Sequence, residues 1–224
     1  MRRDECSVIR VMVVDDEMLV RSGFRLILES AGDIQVVADC DGADAVVEAE
    51  LHHPEVVLLD IRMPTVDGLT ILRQLRGWRS PPVVAMLTTF DADEHVASAL
   101  RCGAAGFLLK DTEPEQLLHS VRVLASGGSV LSPAVTRTVI GGYLGAGTDP
   151  ETAARVSGMT DREREVLALI GAGLSNADIG KRLYLSMATV KDYVSAVLTK
   201  LGVANRVQAA VIAHQTGLAT GDPG

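Results

Sequence analysis

The sequence predicts an α/β domain built on a five-stranded, parallel, doubly wound sheet, followed by a small all-α domain, and three observations carry that expectation. Short apolar runs rich in β-branched residues alternate five times with stretches of helical spacing. A glycine cluster ending in Asp-Pro, GGYLGAGTDP at 141–150, interrupts the pattern. Four short helical stretches then close the chain, whose 224 residues accommodate two domains of ordinary size.

Residues 8–14 (VIRVMVV) predict the first strand, followed by acidic Asp15, Asp16 and Glu17 and by helical spacing at Val20, Phe24 and Ile27. The unit repeats at 34–38 with 43–51, 56–59 with 68–75, 83–87 with 92–100, and 106–109 with 114–124. Pro114 suits the first turn of the last helix, where a missing N–H costs nothing, and Asp111 and Glu113 supply favourable acids before it. Strands this uniformly apolar belong between two helical layers, which implies a parallel sheet whose ligands bind at the carboxyl ends of the strands. The expected divisions are an α/β domain over 8–126, a linker with a helix over 127–155, apolar at Val135, Val139 and Ile140, and a helical domain over 156–218.

Hydrophobic residues at 47% and charged residues at 22% exclude general disorder, and no apolar run approaches the length of a membrane span. The start of the chain carries no apolar export signal, so the cytoplasm is the expected location. Cys6, Cys40 and Cys102 are odd in number and widely spaced, which suits free thiols better than a disulfide or metal site. The net charge of −8 argues against nucleic-acid binding when taken whole, but residues 1–155 hold 14 basic and 23 acidic residues while the remainder holds 7 and 6. The acidity belongs to the first domain.

Asp15 and Asp16 end the first predicted strand and Asp60 ends the third (VVLLD), so three carboxylates meet at one edge. Their mutual repulsion calls for a hard divalent cation, and Mg²⁺ is the expected one. Thr88 ends the fourth strand and Lys110 the fifth, adding a hydroxyl and an ammonium. Such a set suits phosphoryl transfer onto an aspartate, because it neutralises oxygens that gain charge in the transition state. A hydrolase acting on small phosphoesters is disfavoured: it would need an acid two positions after the nucleophile, where Arg62 stands.

VVDDE at 13–17, LLDIRMP at 58–64, MLTTF at 86–90 and GFLLKD at 106–111 together resemble the receiver domain of bacterial response regulators, a flavodoxin-like fold, over about residues 8–126. The resemblance implies that Asp60 is phosphorylated by a sensor histidine kinase, with Mg²⁺ held by Asp16, Asp60 and the backbone carbonyl of Arg62, and Asp15 acting through a metal-bound water. It implies further that Lys110 contacts the phosphoryl oxygens and that Thr88 moves toward them while Phe107 turns inward. Phe107 stands where many members carry Tyr. Arg62 and Phe90 occupy the positions that tune phosphate lifetime in the family, and their bulk predicts a phosphate lasting minutes or longer. Gly68 and Pro64 read as turn chemistry, and the kinase contact is expected on the first helix around Leu19 to Arg25.

In the last part, Thr160 and Glu163 form a capping box before Val166, Leu167 and Ile170, Ser175 caps a second helix, Ser186 opens a third, and a fourth spans 206–216. The short separation of the second and third describes a helix-turn-helix. Residues 160–213 look like the LuxR/FixJ-type DNA-binding domain, and with the first domain the chain resembles the NarL/FixJ family of transcriptional response regulators. By that resemblance the chain is a regulator rather than an enzyme. The helix of 187–200 enters the major groove of promoter DNA with Lys191, Asp192 and Ser195 near bases or phosphates, and Thr189, Lys200 and Arg206 are phosphate candidates. Asp192 departs from the family, where an acid would accept from cytosine or repel phosphate. A net charge of only +1 on the helical part makes a homodimer the expected active form. The competing expectation is a DNA-binding regulator independent of phosphorylation and governed by a ligand or partner.

Overall fold

The computed structural model describes residues 8–88, 93–131 and 150–220. Five strands, β1 (Ile9–Val14), β2 (Ile34–Cys40), β3 (Val56–Asp60), β4 (Val83–Thr88) and β5 (Gly106–Leu109), pair in parallel in the order β2-β1-β3-β4-β5. Helices α1 (Met18–Glu29), α2 (Ala45–His52), α3 (Gly68–Arg76), α4 (Asp93–Arg101) and α5 (Pro114–Ala125) follow the strands in turn.

The sheet is buried on both faces, as its uniformly apolar strands require. Val11, Val13, Leu58 and Leu87 face a core shared with Phe24 and Leu28 of α1 and Leu117 and Val121 of α5. Met12, Val14, Leu59 and Met86 face the opposite core, with Leu72 of α3 and Leu100 of α4. The edge strand β2 shows the alternation expected of a half-covered strand, and its register with β1 shifts between Val11 and Met12. That irregularity moves Ala38 and Cys40 to the face opposite Ile34 and Val36.

The helical part comprises α6 (Pro150–Ser157), α7 (Asp161–Gly171), α8 (Asn176–Leu183), α9 (Met187–Leu201), α10 (Arg206–Gln215) and a closing 3₁₀ turn (Leu218–Thr220). The capping box on α7 is present, with Thr160 N–H donating to Glu163 Oε2 at 2.8 Å and Glu163 N–H to Thr160 Oγ1 at 3.3 Å. Ser175, Ser186 and Asn205 cap α8, α9 and α10 by accepting from the third residue of each helix. Helix α6 begins within the stretch expected as linker, yet it packs with this bundle. Val156 enters the helical core, and Arg155 donates to Leu201 O at 2.8 Å at the end of α9. The remainder of the expected linker, 132–149 with its predicted helix, lies outside the described residues, as does Cys6.

Candidate functional site

At the carboxyl edge of the sheet, parallel strands deliver Asp15 just after β1, Asp60 at the end of β3, Thr88 at the end of β4 and Lys110 just after β5. Asp15 is fully buried and Asp60 is 5% exposed, while Asp16 faces solvent. One carboxylate oxygen from each of the three lies within 4.8 Å of the others. Lys110 Nζ is shared among Asp15 Oδ2 at 2.8 Å, Asp60 Oδ2 at 3.0 Å and the more exposed Glu17 Oε1 at 3.3 Å. Backbone N–H groups hold the other oxygens: Glu17 N–H donates to Asp15 Oδ1 at 2.9 Å and Arg62 N–H to Asp60 Oδ1 at 3.3 Å.

The electrostatics follow from burial and neighbours. Desolvation pushes the Asp60 carboxyl above its ordinary range, opposed by Lys110 and reinforced by the charge of Asp15. Burial works against the Lys110 ammonium, but its bonds to Asp15 and Asp60 hold its pKa well above the usual lysine value. Four carboxylates around one ammonium leave a surplus of negative charge, and every free donor is a hard oxygen. These residues therefore fit a divalent cation such as Mg²⁺. A cavity of about 220 Å³ opens over Asp16, Asp60, Arg62, Thr88 and Lys110, roomy enough for a phosphoryl group. Phe107 is completely buried and turned inward, while Arg62 is exposed at the cavity rim. Phe90 lies outside the described residues.

Gly68 was expected only to turn the chain. A Cβ there would stand 2.1 Å from Asp60 O, so the glycine lets the start of α3 close against the backbone of the phosphoacceptor candidate. Gly68 N–H donates to Ile61 O at 3.1 Å, which fixes the approach.

On the helical part, α9 buries Val190, Val197 and Leu201 and turns Lys191, Asp192 and Ser195 outward. Thr189 binds Ser186 Oγ at 2.9 Å within the cap. Lys200 Nζ is paired with Glu163 Oε2 at 2.7 Å. Arg206, expected on a DNA phosphate, is instead 8% exposed and points inside, so it is out of reach of DNA in this arrangement. Its guanidinium donates to Gly127 O, to Leu174 O and to Asn176 Oδ1 at 3.1 Å, and desolvation by burial pushes its pKa down to about 10. Lys191 shares a cleft of about 460 Å³ with His53, Glu55, Trp78 and Pro81 of the α/β domain. Lys191 thus borders the cleft between the domains while remaining exposed.

A parallel α/β domain with an acid cluster at its carboxyl edge, joined to a helix-turn-helix domain, defines a response regulator. Residues 11–122 match the family described as response regulator receiver domain, and residues 157–213 match bacterial regulatory proteins of the luxR family. The chain is 35% identical over 211 residues to the uncharacterized transcriptional regulatory protein YxjL of Bacillus subtilis (strain 168), covering 94% of this chain and 97% of that one. It is 37% identical over 206 residues to the nitrate/nitrite response regulator protein NarL of Escherichia coli (strain K12), covering 92% and 94%. Among solved structures it is similar to the response regulator ChrA of a heme-sensing two-component system, with TM-score 0.52, 34% identity and coverage of 95% and 99%. The chain belongs to the two-component response regulators that carry a LuxR-type DNA-binding domain, and it is a transcriptional regulator, not an enzyme.

Proposed function

We propose that Asp60 accepts a phosphoryl group from a sensor histidine kinase and that phosphorylation releases the helical domain to bind promoter DNA as a homodimer. The observation that carries this reading is the placement of a nearly buried Asp60 between Lys110 and the carboxylates of Asp15 and Asp16, beneath a cavity sized for phosphate. Asp60 attacks the phosphorus, the bond to the kinase imidazole breaks, and Lys110 leaves its pairing with Asp60 to hold a phosphoryl oxygen. The Thr88 hydroxyl takes another oxygen, while Phe107 packs inward behind it. Asp16, Asp60 and the Arg62 carbonyl would hold Mg²⁺, with Asp15 acting through a water; when bound, the ion neutralises charge on the transferring oxygens.

A phosphate with nearly two negative charges and three acceptors contacts the two states of the domain differently, which is the condition for a population shift. Exposed Met18, Leu19 and Leu26 on α1 supply an apolar face for the kinase. On α9, Lys191, Asp192, Ser195, Thr189 and Lys200 are the DNA contacts, with Lys200 first surrendering Glu163. Arg206 would join them only once the domains separate. The functional divisions are a receiver over 8–126, a linker over 127–155 and a DNA-binding domain over 156–218. No helix among the described residues is long and apolar enough to cross a membrane, and the protein acts in the cytoplasm beside its DNA.

The test is DNA retention from a genomic fragment pool, with oligomer mass, for wild type and Asp60→Asn with and without acetyl phosphate and Mg²⁺. Wild type alone is expected to become a dimer that retains particular fragments. Equal retention by both proteins without donor would instead favour control by a ligand or partner.

A further inference from the structure

The two domains meet through a tripeptide. Ala204, Asn205 and Arg206, at the turn into α10, each bond to a different part of the α/β domain. Arg76 at the end of α3 donates to Ala204 O at 3.0 Å. Asn205 Nδ2 donates to Leu100 O at 2.7 Å, near the end of α4, and to Ala104 O at 2.9 Å, in the loop leading to β5. Arg206 donates to Gly127 O just beyond α5. Asn176 N–H adds a bond to Ser126 O at 3.2 Å, and Val207 and Val211 of α10 complete the apolar core beneath α4. All of these partners sit at the carboxyl ends of helices, the pole of the α/β domain opposite Asp60.

Asn205 is buried and uses its side chain fully. Its Oδ1 accepts from Gln208 N–H at 2.9 Å and so caps α10, while both hydrogens of its amide go to the other domain. One residue thus belongs to the fold of the DNA-binding domain and to the joint at the same time. The carbonyls it holds flank the end of α4, and the other end of that nine-residue helix emerges from the segment after Thr88. Helix α4 itself spans about 13 Å.

Resting on the phosphorylation reading above, we propose that Ala204–Asn205–Arg206 is the clasp that keeps the DNA-binding domain closed, and that Asn205 is its releasable member, sensing the position of α4. A shift of α4 at the Thr88 end moves the carbonyls of Leu100 and Ala104 together, and the two bonds from one amide are lost together. Arg206 does not oppose release, because it keeps Leu174 O and Asn176 Oδ1 inside its own domain and gives up only Gly127 O, which frees that N–H for water or a DNA phosphate.

Asparagine and aspartate cap helices about equally well, so Asn205→Asp keeps the cap on α10 but presents a carboxylate to two carbonyl oxygens. Asn205→Ser keeps a cap, adds no charge and cannot span both carbonyls. Trp78, the sole tryptophan, lines the cleft between the domains and reports opening through acrylamide quenching. Full-length wild type, Asn205→Asp and Asn205→Ser are compared by quenching and small-angle scattering, with and without acetyl phosphate and Mg²⁺, and circular dichroism melting checks the fold. Without donor, Asn205→Asp is expected to match phosphorylated wild type in both readouts, and Asn205→Ser to be about tenfold more open than unphosphorylated wild type. A folded Asn205→Asp as closed as unphosphorylated wild type overturns the clasp. So does an Asn205→Ser that stays closed, since opening by Asp would then reflect its added charge alone; should Asp impair folding, Ser decides. If wild type stays closed with donor while both variants open without it, the clasp stands and the phosphorylation reading falls.

Discussion

Two cations, half-buried Lys110 and buried Arg206, mark the two poles of the α/β domain, and their surroundings differ. Lys110 is enclosed by carboxylates of Asp15, Asp60 and Glu17, which hold its pKa high. Among the described residues Arg206 is bonded by carbonyl and amide oxygens, and burial pushes its pKa down to about 10. The first cation is compensated by carboxylates within its own domain. The second is desolvated with no counter-ion among the described residues, which weakens the closed arrangement and suits a contact that must open.

The largest expected effect tests that contrast directly. Lys110→Ala leaves two buried carboxylates facing each other and is expected to destabilise the Mg²⁺-free protein by about 3 kcal/mol. Saturating Mg²⁺ should return part of that loss. Arg206→Ala leaves only neutral acceptors, so its cost is expected to be smaller, about 1 to 2 kcal/mol. Urea unfolding of each variant with and without Mg²⁺ measures both. Equal losses, or an Arg206→Ala loss that Mg²⁺ also reverses, would break the comparison.

The two poles also differed in how far they could be read in advance. Asp15, Asp16, Asp60, Thr88 and Lys110 were legible because each closes an apolar strand, and parallel strands bring their ends to one edge. Arg206 was visible as a phosphate candidate and Asn205 was not singled out, because their partners are the main-chain oxygens of Leu100, Ala104 and Gly127. A carbonyl oxygen is common to every residue and leaves no mark in a sequence. The same reason hid Gly68, whose constraint is the backbone of Asp60. Helix α6 was obscured by the preceding glycines, although Pro150 at its first position and the Glu151–Arg155 pair are ordinary signals of a helix.

A middle-sized effect concerns Asp60 itself. Its carboxyl sits above the usual range through burial first, so the folded protein binds a proton over a pH window in which the unfolded chain has already lost it. Stability without Mg²⁺ should then fall as pH rises through that window. Asp60→Asn is expected to stabilise the Mg²⁺-free protein at neutral pH, by less than Lys110→Ala destabilises it, and to flatten this slope. Wild-type affinity for Mg²⁺ should also weaken in acid while an ordinary aspartate remains ionised, because the ion and the proton compete for one carboxylate. Thermal melts and Mg²⁺ titrations across pH check both trends; a wild-type stability that rises with pH over the same window would refute the assignment.

The smallest effect separates a structural lysine from a DNA contact. Lys200 holds the Glu163 carboxyl below its ordinary range, with the Thr160 N–H adding to the effect. A depressed carboxyl contributes stability that is present above its unfolded pKa and lost as pH falls through the folded one. Glu163→Gln retains an acceptor for Thr160 and removes the negative charge paired with Lys200, whose own side chain is 44% exposed. The neutral-pH cost is therefore expected to be only about 0.5 kcal/mol, vanishing in acid. Freed from its partner, Lys200 becomes more available to a phosphate, so binding of nonspecific duplex should tighten and its dependence on salt should steepen. If Glu163→Gln changes the melt but leaves the salt slope untouched, Lys200 serves the cap of α7 and not the DNA.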